Sequence, residues 1–171
     1  MPQPIRLFAL SLAGALALSG TGCASLFAKA PAKAEVAPVA LTQEEADVFN
    51  ATNEFRKANN LPELKPDVKL VALARQRSRD MAARDYFSHV SPEGGDVFAS
   101  MRDERITYWA AGENLARNNF PAETSAAEAM DGWRKSPEHR ANLLHPAFGH
   151  IGVGVAKAKD GKAYITEVFT D

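Results

Sequence analysis

Residues 133–144 read WRKSPEHRANLL and residues 108–116 read YWAAGENLA, and these two stretches decide the fold of the chain. Upstream of them, residues 87–92 read FSHVSP. The three segments contribute two histidines and one carboxylate, namely His89, Glu113 and His139. Two imidazoles and a carboxylate can bind a divalent cation such as zinc and leave a position open for water or a ligand. We therefore expect any activity of the protein in a cleft where these segments meet.

The spacing of the three residues does not establish a metal site by itself. No HExxH helix fixes their geometry in advance, and an isolated histidine is more often a hydrogen-bonded structural group than a ligand. Ser136-Pro137-Glu138 has the form of a helix start, which places His139 in a first turn. The positive end of the helix dipole there opposes an imidazolium, so a neutral His139, the form that binds metal, is expected.

Helical patterns dominate the first two thirds of the domain. The capping-box sequence Thr42-Gln-Glu-Glu45 predicts a helix that ends near Asn59-Asn60. Pro66 suits the first turn of a second helix running towards Tyr86, and Val97, Met101 and Ile106 outline a short third one. Glu123 to Lys135 predicts another. The charged residues of the second helix are interpreted as solvated or locally paired, and they are Arg75, Arg77, Arg79, Asp80 and Arg84.

The last part of the chain has the pattern of β-structure. Trp109 to Leu115 is a candidate strand, although its Gly-Glu-Asn centre weakens the pattern. Ile151–Val155 and Ala163–Phe169 alternate as two strands, and the Asp160-Gly161 pair between them is typical of a tight hairpin. Helices packed on a mainly antiparallel sheet make an α+β domain.

The N-terminus resembles an export signal. Residues 1–22 have a basic start, a short apolar run and small residues before Cys23, the single cysteine of the chain. Cys23 lies where a lipoprotein is cleaved and acylated, so we expect lipidation of Cys23 and attachment to a membrane through that lipid. Residues 23–41, rich in Ala and Pro, are predicted to be a linker, and residues 42–171 a single domain.

Charge patterning argues against a nucleic-acid partner. The 171 residues carry a formal net charge of −1, with basic and acidic residues interspersed. Binding to nucleic acid normally requires a basic face. No nucleic acid is therefore expected among the partners.

Several segments, in order, resemble the CAP superfamily (cysteine-rich secretory proteins, antigen 5 and pathogenesis-related proteins) in its short bacterial form. They are FSHVSP, AAGENLA, WRKSPEHRANLLHPAFGHIGVGV and AYITEVF. The resemblance implies a three-layer α-β-α sandwich with an open cleft that sometimes holds zinc or another divalent cation. It assigns the cleft residues to His89, Glu113 and His139. The family's fourth residue, a glutamate, falls on Ser136, and Glu138 nearby is not expected to replace it.

The remaining polar and aromatic residues of these segments receive structural interpretations. Asn114 and Asn142 are expected to satisfy backbone groups around the cleft, and Arg140 to pair with an acid. Tryptophans at 109 and 133 are predicted to lie in the core or cleft wall. His145 and His150 are predicted to pack in loops.

Two functions follow from the cleft. The first is a binding module in the cell envelope, whose ligand could be a lipid, a peptide or cell-wall material, with or without a divalent cation. The second is an envelope hydrolase in which His139 or Glu113 acts as a general base or a bound metal activates water. The sequence contains no Gly-x-Ser-x-Gly elbow to supply a nucleophile. We therefore favour binding over catalysis, and the outer membrane is a compatible location.

Overall fold

The computed structural model describes residues 39–171, so the predicted signal peptide, Cys23 and most of the linker lie outside the described residues. Within this range the order of elements is α1 (Gln43–Ala58), β1 (Lys65–Pro66), α2 (Val68–Arg84), α3 (Val97–Asp103), β2 (Ala111–Asn118), α4 (Ala122–Lys135), α5 (Pro137–Leu143), β3 (His150–Lys157) and β4 (Ala163–Thr170). Among residues 39–171, no helix is both long and apolar enough to traverse a bilayer.

The four strands form one mixed sheet in the order β1-β3-β4-β2. The three long strands are antiparallel neighbours, with β4 between β3 and β2. At one edge, β1 pairs with β3 in parallel through only two residues. The prediction of a mainly antiparallel sheet is therefore confirmed for the long strands, and the short parallel edge is an addition to it.

Helices cover both faces of the sheet, which confirms the three-layer α-β-α sandwich. Every residue of the central strand β4 is buried, and its side chains alternate between the two faces. Ile165 and Phe169 pack with residues of α1, α4 and α5. Val168 packs with residues of α2 and α3 on the opposite face. The candidate site is built where β2, at the edge of this sheet, meets both helical layers.

Helix α1 begins as predicted, at a capping box. The Thr42 amide donates to Glu45 Oε2 (2.9 Å), and the Glu45 amide donates to Thr42 Oγ1 (3.3 Å). The predicted start of the second helix is wrong. Pro66 lies in β1, and α2 begins after Asp67, whose carboxylate accepts hydrogen bonds from the Lys69 and Leu70 amides. Proline, which has no backbone N–H, is tolerated at position 66 because β1 is an edge strand and that N–H is not needed for strand pairing.

Two glycines of β3 allow α2 to lie directly on the sheet. A Cβ atom on Gly152 would lie 2.0 Å from the Leu70 carbonyl carbon, and one on Gly154 would lie 2.2 Å from the Arg75 amide nitrogen. Only glycine permits such a close approach of two backbones. The IGVGV stretch therefore fixes the position of α2 and of the side chains that α2 presents to β2.

Candidate functional site

Strand β2 delivers consecutive side chains to opposite faces of the sheet, because side chains alternate along a strand. Glu113 points towards α2, where its carboxylate meets Arg77 and His89. Asn114 points the other way, towards Glu167 and the backbone of α5. The Gly-Glu-Asn centre, which seemed to weaken the strand pattern, thus forms part of a regular strand and serves both layers.

The Glu113 carboxylate is buried and fully engaged. Arg77 Nε donates to Oε1 (3.1 Å), and His89 Nδ1 donates to Oε2 (2.7 Å). Only 3% of the Glu113 side chain and 7% of the Arg77 side chain are exposed. The expectation that Arg77 is solvated or paired within its own helix is wrong. A charged guanidinium at this depth needs hydrogen-bond acceptors, and Glu113 supplies the carboxylate among those of Arg77.

Arg77 also holds the segment that carries His89. Its Nη2 donates to the backbone carbonyls of Ser88 (3.1 Å) and His89 (2.9 Å). One guanidinium therefore fixes both the Glu113 carboxylate and the main chain of the FSHVSP segment. The planar, five-donor geometry of arginine suits this task, which the ammonium group of lysine could not perform in the same way.

The two histidines of the cleft have opposite electrostatic environments. The hydrogen bond from His89 to Glu113 raises the pKa of His89 above its ordinary value. Burial lowers the pKa of His139, and the positive charge of His89 lowers it further. A neutral His139 was expected from the helix dipole, and burial and the neighbouring imidazole act in the same direction. The charge of His89 therefore acts on His139, although His89 does not line the groove that His139 lines.

His139 occupies the first turn of α5, as predicted, and lines a groove. Pro137 is the first residue of α5, and Ser136 precedes it without a side-chain capping bond. The groove has a volume of about 420 Å³. Its walls are β2 residues 115–118, Phe120, four residues of α4 (Glu128, Ala129, Gly132 and Trp133), Ser136 and His139. A cavity of about 600 Å³ lies elsewhere, at the C-terminal end of α2, and none of the three predicted site residues lines it.

The described residues contain no ready-made metal cage. Among residues 39–171, no group of three or more His, Cys, Asp or Glu side chains is arranged to hold a metal ion. Both oxygens of Glu113 are already bonded, and the nearby guanidinium disfavours a cation at that carboxylate. His89 uses Nδ1 for Glu113, and within residues 39–171 nothing is hydrogen-bonded to its Nε2, which is how metal-binding histidines are commonly oriented by a carboxylate. The geometry therefore fits Glu113 as the residue that orients His89 better than as a direct ligand.

A buried acid that was not predicted from the sequence supports the site from the other face. Glu167 of β4 accepts hydrogen bonds from Thr52 Oγ1 (2.5 Å) and Asn114 Nδ2 (3.2 Å). It is completely buried, and burial raises the pKa of Glu167 to about 7. Thr52 within the apolar stripe of α1 was the signal that could have indicated a buried polar partner.

The two asparagines of the cleft connect Glu167 to the functional segments, as expected of groups that satisfy buried backbone. Asn114 Nδ2 also lies 3.3 Å from the His139 carbonyl oxygen. Asn142 donates to the Glu113 carbonyl oxygen (3.1 Å) and to Asn114 Oδ1 (3.0 Å). A Cβ atom on Gly112 would lie 2.8 Å from Asn142 Oδ1, so glycine is needed beneath this amide.

Four further predictions can be compared with the structure. Trp133 is buried and donates to the Leu115 carbonyl oxygen (2.9 Å), whereas Trp109 is 98% exposed and does not belong to the core or cleft wall. Trp109 precedes β2, so it lies outside the sheet and is not covered by it. Arg140 lies over the Phe55 ring (5.4 Å), and no acid within the described range pairs with it. His145 stacks on Phe148 (4.4 Å), as expected for loop packing, and His150 is the exposed first residue of β3.

The fold and these segments define a known class of protein. Residues 49–169 match the cysteine-rich secretory protein family, CAP. The chain belongs to this family.

Relatives share the domain over only part of their own length. The chain is 38% identical over 136 residues to YkwD, an uncharacterised protein of Bacillus subtilis, covering 76% of this chain and 51% of YkwD. It is 33% identical over 114 residues to YlbC, an uncharacterised membrane protein of the same organism, covering 67% of this chain and 32% of YlbC. The chain thus spans about half of YkwD and about a third of YlbC.

Solved structures share the same architecture. An extracellular protein with an SCP domain from Bacillus anthracis is 30% identical, with a TM-score of 0.64 over 77% of this chain and 44% of that protein. An outer surface protein of Borrelia burgdorferi has a TM-score of 0.68 over 78% of this chain and 96% of its own length, at 18% identity. The second likeness concerns the fold alone.

Proposed function

We propose that the protein is an exported binding module that holds its ligand in the cleft formed by His89, Glu113 and His139. The observation that carries this proposal is the groove beside His139, which is lined by apolar side chains together with polar ones, namely Arg117, Asn118, Glu128, Ser136 and His139. Ligand sites are commonly concave and apolar, with a few polar groups that orient the ligand. A lipid, a peptide or a cell-wall fragment has the amphipathic chemistry that such a groove accepts.

The hydrogen bonds of the serines favour binding over nucleophilic hydrolysis. Ser88 Oγ accepts from the Val90 amide (3.1 Å), and Ser91 Oγ accepts from the Gly95 amide (3.1 Å). Within residues 39–171, no hydroxyl group is hydrogen-bonded to a histidine ring. A serine nucleophile needs such a base within hydrogen-bond reach. The alternative is hydrolysis by an activated water, for which the half-buried His139, whose pKa is lowered, would be the general base.

A divalent cation, with zinc the best candidate, is part of the proposal. His89 Nε2 and the His139 ring would bind it, and Glu113 would orient His89. When bound, the metal would supply a positive charge and open positions for a ligand donor. Ser136 replaces the acid that the family places here, so a bound ligand or water would complete the coordination.

The N-terminus and the relatives support attachment to the cell envelope as part of the proposal. Residues 1–22 have the pattern of an export signal, and Cys23 follows them at the position of lipoprotein cleavage. The B. anthracis relative is described as extracellular and YlbC as a membrane protein. We therefore extend the proposal to a lipid anchor on Cys23. Mass spectrometry of the protein extracted from membranes would find an acylated Cys23 as the first residue, and an unmodified Cys23 would refute the anchor.

The binding proposal is tested by titrating the purified protein with zinc, peptidoglycan fragments, peptides and lipid micelles. Binding would be measured by calorimetry and by the histidine NMR signals. His89→Ala and His139→Ala should each weaken zinc binding. Glu113→Gln should lower the zinc affinity about 10- to 100-fold, because Glu113 acts through His89. Unchanged zinc affinity in the double variant His89→Ala/His139→Ala would refute the metal site.

The same titrations, followed by mass spectrometry of the added compounds, separate binding from hydrolysis. Binding without any new product supports a binding module. A product that forms with the natural protein and not with Glu113→Gln or His139→Ala would establish the hydrolase instead.

A further inference from the structure

Strand β2 lies at an edge of the sheet, and one side of its backbone faces away from β4. The Asp171 amide donates to the Ala110 carbonyl oxygen (3.2 Å), which continues the β2–β4 ladder. Residues of an antiparallel pair alternate between bonding to the partner strand and facing away from it. With position 110 bonded to β4, positions 112, 114 and 116 also bond to β4. The backbone groups of Glu113, Leu115 and Arg117 therefore face outwards.

Part of this outward edge is already bonded and part is open. Asn142 donates to the Glu113 carbonyl oxygen (3.1 Å), and Trp133 Nε1 donates to the Leu115 carbonyl oxygen (2.9 Å). Within residues 39–171, the Leu115 N–H and both backbone groups of Arg117 have no such partner. An edge with unpaired N–H and C=O groups is a template for another strand.

The open edge forms one wall of the groove beside His139. Across the groove, α4 contributes Gly132, where a Cβ atom would meet no other atom within 4 Å. The missing side chain leaves space between α4 and β2. Phe120 on the groove wall is 46% exposed, and Phe87, which lies against Arg117 and does not line the groove, is 42% exposed. Exposed aromatic side chains beside a groove favour an apolar partner.

Arg117 adds a charge to this edge. Its guanidinium lies 5.1 Å from the centre of the Phe87 ring and 5.8 Å from that of Tyr164. Among the side chains of residues 39–171, no carboxylate forms an ion pair with it, in contrast to Arg75 and Arg77. A cation that is held on aromatic rings and lacks a carboxylate is complementary to an acidic side chain.

The geometry points to an extended peptide as the ligand of this groove, added as a short strand to the open edge of β2. Its backbone bonds to the Leu115 N–H and to both backbone groups of Arg117, an apolar side chain lies beside Gly132, and an acidic side chain lies against Arg117. Addition of a strand to a sheet edge is a general mode of peptide recognition. This inference names the ligand class for the proposed binding function and rests on that function.

The test begins with a selection of displayed random heptapeptides on the purified protein. A selected peptide is then synthesised in two forms, one normal and one N-methylated at alternate residues. N-methylation removes backbone donors and leaves the side chains unchanged. Of the three open groups named above, only the Arg117 carbonyl oxygen accepts from a peptide N–H, so N-methylation removes one hydrogen bond of about 1 kcal/mol, and affinity should fall roughly 5-fold, measured by fluorescence anisotropy. Equal affinity of the two forms would overturn strand addition.

Variants of the groove provide an independent measurement. Gly132→Leu should fill the groove and abolish binding, whereas Gly132→Ala, the matched control, should change affinity less than about threefold. Neither variant should disturb α4, because the position is open and both residues favour helices over glycine. Arg117→Gln should weaken binding of an acidic peptide about tenfold, and Arg117→Lys should restore most of it. Selected peptides that bind Gly132→Leu as well as the natural protein would refute this location.

Failure of the inference and failure of the proposed function give different results. If no peptide is selected but lipids or cell-wall fragments still shift the His89 and His139 NMR signals, the peptide inference is wrong and the binding function stands. If none of these probes shifts either histidine, both are wrong.

Discussion

Glu113 and Glu167 are both buried acids on neighbouring strands, but they are stabilised in different ways. Glu113 faces α2 and meets two basic groups, Arg77 and His89. Glu167 faces α1 and has only neutral donors, Thr52 and Asn114. An ion pair can keep a buried carboxylate charged, whereas neutral donors compensate less of the cost of desolvation. The α2 face of β2 is therefore ionic and the opposite face is a neutral hydrogen-bond network.

The difference also separates two tasks. The ionic face fixes His89, because Arg77 binds both Glu113 and the main chain beside His89. The neutral face connects Glu167 through Asn114 to the backbone of His139. One histidine is thus positioned by charge and the other by a network of amides. Substitutions in the ionic face and in the neutral face should therefore have different effects on stability and on pH dependence.

The largest effect is expected for Arg77→Ala. It leaves the Glu113 carboxylate buried without its guanidinium and also removes two bonds to the His89 segment. Loss of one partner of a buried ion pair typically costs about 3–5 kcal/mol. Urea unfolding should show that decrease, whereas Arg79→Ala, on the exposed side of the same helix, should change the free energy of unfolding by less than about 0.5 kcal/mol. Similar effects of the two substitutions would contradict the ionic face.

The second effect concerns Glu167 and pH. Its pKa is raised from 4.5 to about 7 in the folded protein, so the folded state binds the proton more tightly than the unfolded state. This group therefore contributes stability below pH 4.5, and the contribution is lost as pH rises through 7. A shift of this size corresponds to roughly 3 kcal/mol.

Glu167→Gln tests the sign of this effect. The amide imitates the protonated acid, and Thr52 Oγ1 can turn its hydrogen to Met130 Sδ, which lies 3.4 Å away. The variant should match the natural protein in urea unfolding near pH 5 and exceed its stability at pH 8. A variant that is less stable at both pH values would show that Glu167 is needed as an anion.

The sandwich could be predicted from the sequence because the patterns that indicate it are either local or shared with the CAP family. The capping box at Thr42, the helix start at Ser136 and the alternation of the last two strands each depend on neighbouring residues. The family resemblance supplied His89, Glu113 and His139. Local patterns failed at Pro66, since a proline that suits a first helical turn also suits an edge strand.

The residues that support the site could not be predicted in the same way. Arg77 and Glu113 are 36 residues apart, and Thr52 and Glu167 are 115 apart. Helical spacing places Arg77, unlike Arg79, on the buried face with Ala74 and Met81, but it cannot identify Glu113 as the partner of Arg77. The error at Trp109 is the opposite one. This large aromatic residue was expected to be buried, but it is exposed and precedes the first residue of β2. Partners of this kind become visible only when the sheet register is known.

The smallest effect, and the most direct measure of the ionic face, concerns the pKa of His89. The hydrogen bond to Glu113 is the main cause of its rise, and the charge of Glu138 is a minor one. Glu113→Gln should therefore lower the pKa of His89 in an NMR titration, since burial and the charge of Arg77 then act without opposition from Glu113. Glu138→Gln is the matched control, because it removes an equal charge that has no hydrogen bond to the ring, and it should lower the pKa far less. Equal effects of the two substitutions would mean that His89 responds to the general charge of the cleft, and Glu113 would then lose its role as the residue that orients this histidine.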